Sequence, residues 1–133
     1  MAAKAKELRF AVDLGAGDVV RAEDGSALEP PPEWTPEHIL LAALVRCSLA
    51  SLRHHATRGG VRVERATGSA RALVTKREED GRYAVVEAEV ELAVALEPQP
   101  GPEELAELLA KAERDCFVGA SLRAKPSYRW SVL

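Results

Sequence analysis

The sequence is short of net charge, of cysteine, of histidine and of long apolar runs, and each shortage excludes something. Its 133 residues carry 18 Lys+Arg against 21 Asp+Glu, a net charge of −3. No large field of one sign is available, so a nucleic-acid partner held by phosphate neutralisation is not expected. The longest strongly apolar run, Ile39–Val45, falls far below the ~20 residues of a membrane-spanning helix. Met1-Ala2-Ala3-Lys4-Ala5-Lys6 has no apolar stretch of the secretory type, which makes the cytoplasm the expected location. Two cysteines in such a reducing compartment do not make a disulfide scaffold. His38, His54 and His55 are the only histidines. The last two are adjacent and so face different sides of a helix, which leaves no metal site in the pattern. Walker loops, dinucleotide fingerprints and Ser/His/Asp arrangements are likewise missing.

What is present is core-forming material. A 47% apolar content is too high for disorder, and the length suits one domain over residues 1–133. Glu7–Leu14 alternates as a half-buried strand does. Gly15-Ala16-Gly17-Asp18 turns the chain, and Val19–Ala22 can return as a second strand before the Asp24-Gly25 turn and Pro30-Pro31-Pro32. Thr35-Pro36-Glu37 starts a helix expected to run to about Thr57, near Gly59-Gly60. Its first half is apolar all round, a sign of burial on several sides. Val61–Lys76 reads as a strand interrupted at Thr67-Gly68-Ser69. A turn at Glu78–Gly81 leads into the clearest pattern of the chain. There Val86, Ala88, Val90, Leu92, Val94 and Leu96 face one way, and Glu87, Glu89 and Glu91 the other. Pro102 opens a second helix with Leu105, Leu108, Leu109, Ala112 and Cys116 on one stripe, broken at Gly119. Ser127–Leu133 closes the chain as a strand. The order β-β-α-β-β-α-β, built on antiparallel hairpins, is an α+β pattern.

The chemistry rests on the cysteines. Cys47 lies mid-helix after Arg46, and Cys116 on the stripe of the second helix. Either can be a small buried hydrophobe or a reactive thiolate activated by a nearby cation. Their separation of 69 residues excludes a Cys-x-x-Cys motif. If the two helices pack together, a reactive thiol beside a resolving thiol follows the logic of a peroxide-reducing site.

Two motifs carry a family likeness. Thr35-Pro36-Glu37 opening an Ala-rich apolar helix, with Cys47 ten positions after Glu37, resembles the OsmC/Ohr family of osmotically inducible and organic hydroperoxide resistance proteins. Ala112-Glu113-Arg114-Asp115-Cys116, followed by Val118 and Ser121-Leu122, is similar to that family's second motif. The resemblance implies an OsmC-like fold with a long central helix, assembled as an intertwined homodimer with its sites at the interface. It also implies a thiol-dependent peroxidase acting on organic hydroperoxides in oxidative-stress defence. Cys47 would be the nucleophile and Cys116 the resolving thiol, with Glu37 and an N-terminal arginine orienting the thiolate. Arg21 is the better match for that arginine and Arg9 the poorer. No cofactor or metal is implied, only an external dithiol reductant. Ten residues of uninterrupted helix separate Glu37 from Cys47 by ~15 Å, so one site using both takes its Glu most easily from a partner chain. The alternative is a non-catalytic dimer of the same fold that binds a hydrophobic small molecule.

Overall fold

The computed structural model describes residues 4–133, which fall into two compact units, up to Thr35 and from Pro36 to Leu133. The N-terminal unit is a small antiparallel sheet. Its strands are β1 (Val12–Leu14), β2 (Val20–Ala22) and β3 (Ala27–Leu28), in the order β1-β2-β3. The expected turn at residues 15–18 is a single 3-10 turn, in which Gly17 at φ 72° takes the left-handed backbone that reverses the chain. Pairing covers only three residues of β1, whereas the alternation extends back to Glu7. The short β2 offers no further partner, and the apolar row Leu8, Phe10, Val12 and Leu14 stays exposed.

The C-terminal unit holds the core. Helix α1 (Pro36–Arg58) runs 23 residues without interruption, ~35 Å, and ends where Gly60 turns left-handed at φ 75°. There the Val61 amide reaches back to the Ala56 carbonyl, which closes the last turn. Only one stripe of α1 is fully covered: Leu44, Ser48, Ser51, Leu52 and Ala56. Ile39 to Ala43 and Val45 are partly covered, so the all-round apolar half is not buried on every side within this chain.

Strands β4 (Arg62–Lys76) and β5 (Tyr83–Glu97) form a long antiparallel hairpin, and β6 (Ser127–Val132) lies beside β5. Along β5 the expected alternation holds: Ala88, Val90, Leu92, Val94 and Leu96 are buried. On the other face, Glu89 and Glu91 bind Arg71, and Glu91 also meets Arg129. Two expectations change. First, β6 runs parallel to β5, because α2 (Pro102–Arg114) carries the chain back across the sheet before β6 begins, so this sheet is mixed rather than wholly antiparallel. Second, β4 is not interrupted at residues 67–69: Thr67, Gly68 and Ser69 all pair with β5, and the register slips instead at Glu64 and at Val86.

Gly68 serves close approach rather than a bend. A Cβ there would stand 2.5 Å from the Glu91 carbonyl oxygen and 2.6 Å from Leu92 Cδ2. Since the neighbours include backbone, Gly68→Ala should destabilise the protein by ~2 kcal/mol, read as a lower denaturation midpoint with an unchanged slope.

Candidate active site

Three helices bring the two cysteines together. Cys47 sits on α1, partly exposed, one residue from the buried stripe. The expectation that Cys116 continues the α2 stripe is corrected: α2 ends at Arg114, and Cys116 is extended (φ −76°, ψ 106°), capping α3 (Phe117–Ser121). Asp115 is the last residue whose amide bonds back into α2, and its carboxylate is drawn to Arg114 and His55. The chain therefore leaves the helix one residue before the cysteine. Gly119 does not break α2 but lies within α3, where its amide donates to Cys116 Sγ at 3.4 Å. The Val118 amide donates to Cys47 Sγ at 3.5 Å. One short turn thus serves both sulfurs, and the thiols are near enough to influence each other's protonation.

The two thiols differ in environment. Burial pushes the Cys47 thiol up; the amides of Val118 and Phe117 oppose this, and neighbouring Cys116 adds to it. Burial acts on Cys116 in the same direction, but hydrogen bonds from Ser48, the Gly119 amide, Cys47 and Tyr128 outweigh it and hold this thiol below its ordinary value. Cys116 and Ser48 are both 0% exposed. Ser48 Oγ lies 3.5 Å from Cys116 Sγ, 3.0 Å from the Tyr128 hydroxyl and 2.9 Å from the Leu44 carbonyl, to which it donates. Burial pushes the Tyr128 hydroxyl up to about 12, so it stays protonated and able to donate.

Beside Cys47 opens a cavity of about 370 Å³ lined by Cys47, Ala50, Ser51, His54, His55, Asp115 and Phe117. At its wall His55 Nε2 meets Asp115 Oδ2 at 2.8 Å. Asp115 is held well down, at about 2, first by its hydrogen bonds to Arg114 and then by His55. Among the described residues no cluster of three His, Cys, Asp or Glu side chains could hold a metal ion, and no helix is long and apolar enough to cross a membrane.

The other expected site residues are described within their own units. Glu37 is exposed in the first turn of α1, and the unbroken helix keeps it ~15 Å from Cys47 along the axis. Arg21 is exposed on β2 of the N-terminal unit, with Nη1 donating to the Gly25 carbonyl at 3.1 Å. Arg9 pairs with Glu7 at 3.4 Å. Sequence reasoning missed Ser48, Tyr128 and the His55–Asp115 pair. The one local signal was position: Ser48 follows Cys47, and Asp115 precedes Cys116.

A small α+β chain with two free cysteines gathered at the meeting of a long helix and a short turn defines a class of two-thiol proteins. Within it, residues 28–131 match the family model described as OsmC-like protein, and the chain belongs to that family. No curated protein matches the chain. Solved structures share the fold. An OsmC-like protein of unknown function from Vibrio cholerae superposes with a TM-score of 0.72 at 16% identity, covering 96% of this chain and 100% of that one. An organic hydroperoxide resistance protein from Elizabethkingia anophelis gives 0.65 at 17% identity, over 97% and 98% of the two chains. The organic hydroperoxide resistance protein OsmC from Legionella pneumophila gives 0.63 at 19% identity, over 96% and 98%.

Proposed function

We propose that the protein is a thiol-dependent peroxidase that reduces organic hydroperoxides. The observation that carries this reading is the convergence of Cys47 and Cys116 on the 117–119 turn, from positions 69 residues apart. In this reading the Cys47 thiolate attacks the distal peroxide oxygen, the O–O bond breaks, and the alkoxide leaves and takes up a proton as the alcohol. The Cys47 sulfenic acid is then attacked by Cys116; water departs and a disulfide remains, which an external dithiol reduces. The cavity beside the partly exposed Cys47 has room for the organic part of the substrate. The names of two structural relatives, organic hydroperoxide resistance proteins, agree with this chemistry.

A homodimer belongs to the same reading. The half-covered Ile39–Val45 face and the exposed row Leu8, Phe10, Val12 and Leu14 are apolar surface of the kind a second copy covers. A partner would also supply Glu37 where one chain's own helix holds it ~15 Å from its Cys47; an N-terminal arginine, Arg21 before Arg9, would act beside it. The test is turnover of an alkyl hydroperoxide with a dithiol as reductant. Each turnover should consume one hydroperoxide and pass through a Cys47–Cys116 disulfide. If the protein neither consumes the hydroperoxide nor forms the disulfide, the reading fails in favour of a non-catalytic dimer holding a hydrophobic small molecule.

A further inference from the structure

The buried Ser48 hydroxyl has more partners than one proton can serve. It is 0% exposed, and Leu44 O, Cys116 Sγ and Tyr128 Oη all lie within reach. A hydroxyl donates once and accepts twice, and two arrangements that satisfy this cluster differ in where the Ser48 proton points. With Cys116 as a thiol, its S–H donates to Ser48 Oγ, Tyr128 donates there too, and Ser48 gives its proton to the Leu44 carbonyl. With Cys116 as a thiolate, the Ser48 proton swings to Sγ while Tyr128 still donates to Ser48 Oγ, and the Gly119 amide donates to the sulfur from the other side. The Leu44 carbonyl loses little in the exchange, because within α1 it already accepts the amide four residues on. Both arrangements leave the Ser48, Cys116 and Leu44 groups partnered.

We infer that Ser48 and Tyr128 form a rotating hydrogen-bond switch that positions Cys116 and holds it as a thiolate for disulfide closure. The inference rests on the peroxidase reading and assigns two positioning residues within it. The step is the attack of Cys116 Sγ on the Cys47 sulfenic sulfur: the S–S bond forms, the S–O bond breaks, and hydroxide leaves and is protonated by solvent. The proton lost earlier from Cys116 balances that uptake. Sulfur in the sulfenic acid is reduced as the Cys116 sulfur is oxidised, so no further reductant enters. Of the charges nearby, Glu113 acts on the switch by helping to keep Tyr128 protonated. Asp115 is engaged by Arg114 and His55, and Glu113 accepts from Trp130 Nε1 at 2.8 Å. Ser48 could not be replaced in this role by a group lacking a hydroxyl, and Tyr128 needs its oxygen for the same reason.

Ser48→Ala and Tyr128→Phe separate the two steps. In each, a Cys47 sulfenic acid trapped by a 1,3-dicarbonyl probe should accumulate where the wild type shows little, and disulfide closure should slow by about tenfold or more. In a Cys47→Ser background, adding Ser48→Ala should raise the pH at which the Cys116 thiolate absorbance appears, and Ser48→Thr should bring it back. Disulfide closure at the wild-type rate in both variants, or a Cys116 titration indifferent to Ser48→Ala, overturns the switch. Absence of both hydroperoxide consumption and the Cys47–Cys116 disulfide in the wild type instead overturns the peroxidase reading, and the Cys116 titration still tests the hydrogen-bond exchange on its own.

Discussion

Cys47→Ser is expected to abolish hydroperoxide reduction, a loss of roughly 10³-fold or more, while Cys116→Ser keeps the first chemical event and loses turnover. The asymmetry follows from exposure. Cys47 is partly open and lines the cavity, whereas Cys116 is sealed beneath it. A hydroperoxide can reach only the first sulfur; the second can be reached only by the first. Mass spectrometry of Cys116→Ser after one equivalent of alkyl hydroperoxide should therefore show one added oxygen on Cys47 and no disulfide within the chain. Cys47→Ser should show neither oxygen nor disulfide, and its hydroperoxide should remain unconsumed. The reverse pattern, oxygen on Cys116 in Cys47→Ser, would assign the nucleophile to the buried thiol. Neither substitution should cost much stability, since serine is close to cysteine in volume, although a hydroxyl at the fully buried position 116 must find the partners the thiol had.

The elements that carry a strong local pattern were legible in the sequence. Helix α1 begins at Pro36 and ends at the Gly59-Gly60 pair, as its capping residues predict. Strand β5 buries the face its alternation marks. What was not legible depends on contacts far apart in the chain. Gly68 looks like an interruption because glycine weakens a strand in isolation; only the packing of Leu92 and the Glu91 carbonyl shows that the missing side chain is what lets the strands meet. Cys116 keeps helical spacing with Leu108 and Ala112, yet the chain leaves α2 at Asp115, whose partner His55 lies 60 residues earlier. The parallel partner of β5 is set by where α2 delivers the chain, not by any residue of β6. At the site, the two cysteines were legible as a pair through their motifs. Ser48 and Tyr128 were not, because a serine in a helix and a tyrosine in a strand carry no local sign that they share a proton.

Mixing two impaired variants should restore activity if the site spans two chains. Glu37→Gln removes the carboxylate proposed to orient the thiolate, and alone should slow hydroperoxide reduction by about 10²-fold; Cys47→Ser alone is inactive. Helix α1 is continuous from Pro36 to Arg58, so no local bend can carry Glu37 to the Cys47 of its own chain. In a two-fold dimer each site would join Cys47 of one copy to Glu37 of the other. A mixed dimer of Glu37→Gln and Cys47→Ser then holds one site with both substitutions and one site with neither. Refolding the two variants together in equal amounts should recover about a quarter of wild-type activity, because half of the dimers are mixed and each has one intact site. A site that takes its carboxylate from the same chain predicts no recovery, since every remaining Cys47 would then belong to a chain that lacks the carboxylate. The result turns on whether Glu37 and Cys47 serve one site: if they do, a straight helix that holds them ~15 Å apart requires two chains.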